Sequence, residues 1–277
     1  MQIKYCPDNI IFFSNLLPIK CPTLYHSISN ALESNSIHYE LLQNTSDIWC
    51  RDYMPIQIDE HRFVIYKYNP DYLQSAYYRR TITDVWQIET VKSLPQDNLV
   101  CLDLVLDGGN VVKCGNRVVM TEKVIAENKN KSRTEVLKQL EEAFQREIVL
   151  LPWDKNEFLG HSDGIIHYLG DNRVMITNYN DFSPYFFNKF RKALNPFFEV
   201  IPIRFKTKTK HRSSWAYINF MKHNNLVMVP QLGLPEDEQA LQQISAVLPH
   251  CNVTGIPSIE AVRKGGALNC ISWNKLD

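Results

Sequence analysis

Short apolar runs come in pairs along the chain, each pair separated by a few polar residues. From Asn110, "NVVKCGNRVVMTEKV" reads as an apolar strand, a turn holding Gly and Asn, and a second strand. "IIHYLGDNRVMITNY" from Ile165 and "AYINFMKHNNLVMVPQ" from Ala216 have the same form, and "MPIQIDEHRFVIYKY" from Met54 is a looser copy. This spacing predicts four β-hairpins. A helix-period pattern follows each of them. The clearest is "SRTEVLKQLEEAFQRE", where Ser132 and Glu135 form a capping box and Val136, Leu140 and Phe144 mark one apolar stripe. The others are "TDVWQIETVKSL" from Thr83, "SPYFFNKFRKAL" from Ser183 with Pro184 in the first turn, and "EDEQALQQISAVL" from Glu236. A short apolar strand then closes each unit, at 99–106, 148–151, 200–205 and 251–256. "CPTLYHSISNALESNSIHYELL" from Cys21 supplies one more helix and strand, and its hairpin is complete if the N-terminal strand pairs with "ISW" near the C-terminus. The pattern predicts an α/β fold: a five-bladed propeller of ββαβ repeats around a pseudo-five-fold axis, with residues 1–277 as one domain.

One position of this repeat is chemically loaded. Asp52 precedes the first hairpin, Asp107 the second, His161 and Asp163 the third, Ser213 and Ser214 the fourth, and Cys270 the closing strand. The spacing is roughly 55 residues per unit, a repeat-sized interval. Equivalent positions in a ring of repeats face its axis, so these side chains are predicted to converge. Gly108, Gly109, Gly164, Gly265 and Gly266 lie at the same junctions and are five of the ten glycines, which points to close backbone approach there. Singly, a strand-end aspartate is a turn residue, a histidine a satisfied polar group and an apolar-flanked cysteine a core residue. Their shared phase is what distinguishes them. Three carboxylates, an imidazole and a thiol at one axis call for a cation, and guanidinium matches carboxylates by paired hydrogen bonds.

Composition narrows the partner. The 277 residues are 44% apolar and 22% charged, as in an ordinary folded protein, and thirty basic residues balance thirty acidic ones. That neutrality argues against nucleic-acid or anionic-membrane binding and for a small-molecule partner. The first twenty residues lack the features of a secretory signal, and no apolar run approaches a membrane span. Seven scattered cysteines (Cys6, Cys21, Cys50, Cys101, Cys114, Cys251, Cys270) include no CxxC pair, so they read as reduced thiols in a cytoplasm. No metal or organic cofactor is called for: no HExxH or phosphate loop occurs, and "LDGGN" lacks the dinucleotide spacing. "RFKTKTKHR" from Arg204 to Arg212 reads as a solvated edge or loop, with a pocket mouth as the alternative. A homodimer is compatible with all of this.

At the loaded junctions the chain resembles the agmatine deiminases and related bacterial peptidylarginine deiminases. "WCRDYMP" (49 to 55) is similar to their W-x-R-D-x-G-P, "LDGGN" (106 to 110) to E-G-G-x, "GHSDG" (160 to 164) to G-H-x-D-E, and "GGALNCIS" (265 to 272) to G-G-x-x-x-C-I-T. "WAYINF" (215 to 220) and "VPQLGLPEDEQA" (229 to 240) resemble their S-Y-x-N-F and P-Q-F-G segments. The resemblance implies the pentein fold, which agrees with the repeat. It implies Cys270 as nucleophile, His161 as general acid and base, Asp107 as its orienting carboxylate, and Asp52 and Asp163 as guanidinium ligands. Trp49 is a candidate to stack on a planar substrate. Met54, Gly164, Asn269 and Asp107 depart from the family pattern, which has glycine, an acidic residue, histidine and glutamate there. The implied reaction is deimination through a covalent S-amidino intermediate, on agmatine or a similar small guanidino amine. Arginine or arginyl peptides, amidino transfer, hydrolysis of methylated arginine, and a non-catalytic binding module on the same fold are the alternatives.

Overall fold

The computed structural model describes residues 10–275, and Cys6 lies outside them. Among the described residues five three-stranded sheets succeed one another. In each, a middle strand pairs antiparallel with an inner strand and parallel with an outer one. Three sheets take the form 56–57, 63–67 and 99–105; 112–114, 117–121 and 147–151; 166–170, 173–176 and 199–202. The fourth joins 221–223, 226–231 and 252–257. The fifth closes the ring: Ile10–Ser14 lies antiparallel to Trp273–Lys275, with Phe12 opposite Trp273, and parallel to Tyr39–Leu42. The pairing of the chain ends through the last strand is therefore as the sequence predicts.

Helices start where local chemistry satisfies their first amides. Ser132 accepts from the Glu135 amide while Glu135 accepts from the Ser132 amide, so Arg133–Phe144 opens on the expected capping box. Ser183 caps Pro184–Leu194. Glu236–Val247 opens on Glu236, Asp237 and Glu238, favourable against the positive end of the helix dipole, and Asp237 also takes the amides of Leu232 and Gly233. The apolar stripes of Pro22–Ser34, Arg133–Phe144, Pro184–Leu194 and Glu236–Val247 each seal one cluster against the sheets. Val136, Leu140 and Phe144 meet Val118 and Met120; Phe187, Phe190 and Leu194 meet Val149 and Ile176.

One expected helix is absent as such. The stretch from Thr83 forms a 3-10 turn at Val85–Gln87 and a four-residue helix at Glu89–Lys92. Asp84 caps the turn by accepting from the Trp86 amide, Asn44 donates to the Gln87 carbonyl, and Ile88 between the pieces is extended. Side chains thus take the groups a continuous helix would pair. Ile88, Val91 and Leu94 still reach the core, packing with Phe63, Ile65 and Trp273.

The capping box gives a stability test. Ser132→Ala removes the side-chain acceptor of an exposed helix start, and about 1 kcal/mol of unfolding free energy is expected to go with it. Urea unfolding should show a lower midpoint at unchanged slope. An unchanged midpoint would mean that packing of Val136, Leu140 and Phe144 alone holds this helix.

Candidate active site

The loaded positions fall on short turns where each unit passes to its inner strand. Asp52 sits in the four-residue helix Cys50–Tyr53, and the Tyr66 hydroxyl fixes that turn by donating to the carbonyls of Asp52 (2.6 Å) and Met54 (3.0 Å). Asp107 stands at the end of its strand just before the 3-10 turn Gly108–Asn110, and His161 just before the matching turn Ser162–Gly164, which carries Asp163. Asn110 locks the two turns together, its Oδ1 accepting from the amides of Thr121 (2.8 Å) and Ser162 (3.2 Å).

Five of the six sequence-predicted site residues converge. His161 Nε2 lies 2.9 Å from Asp107 Oδ2, so the short aspartate reaches the ring, and His161 Nδ1 lies 3.6 Å from Asp52 Oδ1. Cys270 Sγ is 3.6 Å from Asp163 Oδ2. Each of these five residues is at most 7% exposed. Gly109 lets the backbone approach this cluster closely. A Cβ there would come within 2.6 Å of Asp52 Oδ1, 2.7 Å of His161 Nδ1 and 3.4 Å of Asp163 Oδ1. The Gly109 amide instead donates to Asp52 Oδ1 at 2.9 Å.

The sixth residue, Trp49, is half-buried, and its ring presses on the loop that leads to Cys270: a Cβ on Gly266 would lie 2.2 Å from it. Ser213 and Ser214 do not join the site; the Ser214 hydroxyl pairs with Asn178 instead. The fourth unit contributes Asn219, at the end of the long 3-10 segment Arg212–Ile218. Its Oδ1 accepts from the amides of Asn269 (3.1 Å) and Cys270 (3.3 Å) and lies 3.3 Å from Cys270 Sγ, while its Nδ2 donates to the Asp163 carbonyl. Asn269 donates to Asp163 Oδ2 at 2.9 Å. The signal for Asn219 was present in "WAYINF", displaced five residues from the serines. In the basic run, Arg204, Lys206 and Lys208 are exposed, and Lys210 bonds to the Phe205 carbonyl and pairs with Asp181.

Crowded carboxylates set the electrostatics. Burial opposes a charged His161 ring, but Asp52, then Asp107 and Asp163, outweigh it and raise its pKa to about 9. Burial raises Asp52 to about 7, against the pull of His161 and with the push of Asp107 and Asp163. Burial, then Asp163 and Asp52, pushes the Cys270 thiol well above its ordinary value. At neutral pH the arrangement holds a protonated thiol and an imidazolium, in a field that favours cations. A planar delocalised cation matches such a field chemically, and a cation near the thiol favours thiolate. Among the described residues no helix is long and apolar enough to cross a membrane, and no three His, Cys, Asp or Glu side chains are grouped to hold a metal ion.

Comparison with known proteins gives a family. The model of the Porphyromonas-type peptidyl-arginine deiminase family matches residues 19–275. A protein of Enterococcus faecalis named "Putative agmatine deiminase" is 37% identical over 57 residues, which is 21% of this chain and 16% of that protein. One of the same name from Lactococcus lactis is 23% identical over 227 residues, 68% of this chain and 60% of that protein. The matched stretches thus span less than two thirds of either relative. Among solved structures, the agmatine deiminase of C. jejuni superposes with a TM-score of 0.76 at 16% identity, covering 100% of this chain and 95% of that one. A DDAH from Pseudomonas aeruginosa reaches 0.65 at 14% identity, covering 97% and 99%. These likenesses establish the pentein fold.

The thiol's environment is testable without turnover. Asp163→Asn removes a negative neighbour and lowers the thiol pKa, so alkylation of Cys270 by iodoacetamide at pH about 7 is expected to speed up about threefold or more. Peptide mapping against exposed Cys101 gives the internal reference. Slower alkylation of Cys270 would contradict the assigned field.

Proposed function

The chain belongs to the Porphyromonas-type peptidyl-arginine deiminase family, and on that footing we propose that it is a single-domain, cysteine-dependent deiminase. It converts the guanidino group of agmatine, or of a similar small guanidino amine, to a ureido group plus ammonia. The observation that carries this is the convergence of Cys270, Asp163, Asp52 and the His161–Asp107 pair from separate units around the closely approaching backbone of Gly109. The names of the relatives support the substrate. The free buried thiols, Cys270 among them, fit a reducing cytoplasm.

Asp52 and Asp163 receive the guanidinium nitrogens, and their geometry holds the central carbon near Sγ, which removes much of the entropic barrier. The bound cation lowers the thiol pKa, and its proton leaves to solvent. Thiolate attack forms the C–S bond. His161 then gives the proton on Nδ1, the nitrogen on the Asp52 side of the ring, to the departing amino group, and ammonia leaves an S-amidino adduct. Asp107 holds Nε2–H throughout. Neutral Nδ1 next takes a proton from water, hydroxide adds to the same carbon, and the C–S bond breaks as the hydroxyl proton passes to the leaving sulfur, which restores the thiol and releases the ureido product. Asn219 and Asn269 position the Cys270 backbone and Asp163.

A colorimetric assay for ureido product across agmatine, arginine and arginyl peptides tests the reading. Cys270→Ala should be inactive with the fold intact, and turnover by this variant would sink the mechanism. The pH dependence of kcat/KM should rise as Asp52 ionises near pH 7 and fall as His161 loses its proton near pH 9. A profile flat across that window would remove these two groups from the reaction.

A further inference from the structure

Beneath the His161–Asp107 pair lies a lysine that the reaction above does not use. Lys123 opens the five-residue helix Lys123–Glu127 and its side chain is 1% exposed. Buried lysines are rare and need compensation. The ammonium meets Asp71 Oδ1 at 2.9 Å, Glu127 Oε1 at 3.0 Å and Asp107 Oδ2 at 3.8 Å, and it lies 4.8 Å from the centre of the Tyr72 ring. Tyr72 belongs to the turn Asp71–Leu73, and its ring is 6.2 Å from the His161 ring. Asp71 is tied a second time, its amide donating to Glu127. If Lys123 only filled space, an apolar side chain of similar length would serve.

Asp107 explains the need for a charge. Among the described residues its Oδ1 has no hydrogen-bond partner, and its Oδ2 is shared by two cationic groups, His161 and Lys123. Resting on the deiminase reading, we propose that Lys123 is a positioning residue: its ammonium holds Asp107 Oδ2 in place as the acceptor for His161 Nε2–H, and it pins the Tyr72 turn beside the ring. Once ammonia has left, His161 is neutral, and Lys123 is the cation that still faces Asp107 Oδ2. Without the ammonium nothing holds Oδ2 from that side, and the carboxylate is free to turn from the ring. An Asp107 turned away no longer accepts from Nε2–H, so the tautomer with a free Nδ1 lone pair is lost, and with it the base that activates water. Burial opposes the Lys123 charge, but Asp107 and Glu127 outweigh it and hold the ammonium charged. Burial and Asp107 raise Glu127 to about 7, against the pull of Lys123.

Lys123→Met therefore blocks the second half of the reaction more than the first. With agmatine, kcat should fall about tenfold or more, and mass spectrometry of the quenched enzyme should find the S-amidino adduct accumulated on Cys270, which mere loosening of the fold would not produce. Should Lys123→Met not fold, Lys123→Met with Glu127→Gln removes both buried charges and should show the same accumulation. Wild-type turnover in a folded variant, or loss of activity with no adduct, overturns the proposal. A turnover-independent reading comes from ¹⁵N NMR of His161 at pH about 10, above its titration. The wild type should be the Nε2–H tautomer and Lys123→Met a mixture. If the wild-type protein deiminates none of the guanidino compounds, the functional reading fails, while this tautomer shift still decides the role of Lys123; an unshifted tautomer overturns it.

Discussion

Three buried carboxylates around one imidazole are the constraint that the rest of this structure answers to. Asp52, Asp107 and Asp163 are buried around His161, and like charges in low dielectric repel strongly. The ring responds by staying protonated to about pH 9, and one carboxylate responds by rising to about 7. Lys123 adds a second positive charge behind Asp107. Without a ligand the cluster is still short of cations. Under the proposed reaction that deficit is a recognition element, because a planar guanidinium offers charge and paired donors together, whereas a neutral urea offers no charge. The proposed substrate and product thus differ in charge, the property to which such a cluster responds.

The ring fold makes so unfavourable a cluster tolerable. The turns that carry these groups are tied across units: the Arg51 amide, next to Asp52, donates to the Cys270 carbonyl, Asn110 bridges the second and third turns, and Asn219 of the fourth unit holds the Asn269 and Cys270 amides. Five apolar clusters outside the axis supply the cohesion that lets these turns face one another. The site is therefore rigid through bonds between neighbouring units. No single unit carries it.

The repeat was legible because hairpin and helix periods alternate so regularly, and because capping chemistry at Ser132 and Ser183 is local. The helix from Thr83 was misread because its apolar spacing is helical, whereas Asp84 and Asn44 satisfy its backbone in another conformation. Asp52, Asp107, His161, Asp163 and Cys270 were legible through their common phase and through family motifs. Asn219 was not singled out: the 3-10 segment Arg212–Ile218 is longer than its counterparts, so the residue in contact lies several positions past the phase the other units share. Lys123 escaped for a different reason. An i to i+4 lysine and glutamate pair reads as a solvated helix face, and only the fold reveals that this face is turned inward.

The thiol completes the logic of charge. A cysteine held protonated by burial, Asp163 and Asp52 is a poor nucleophile, and for the same reason it resists adventitious alkylation and oxidation. A cation entering between those carboxylates cancels the two charges that suppress the thiolate. Under the proposed reaction, activation and recognition are then one event: the ligand that fits is the ligand that generates the nucleophile. Once the ureido product forms, the positive charge is gone and the carboxylates no longer retain it. The same three aspartates that attract the substrate therefore favour release of the product, and the protonated resting thiol returns as the product leaves.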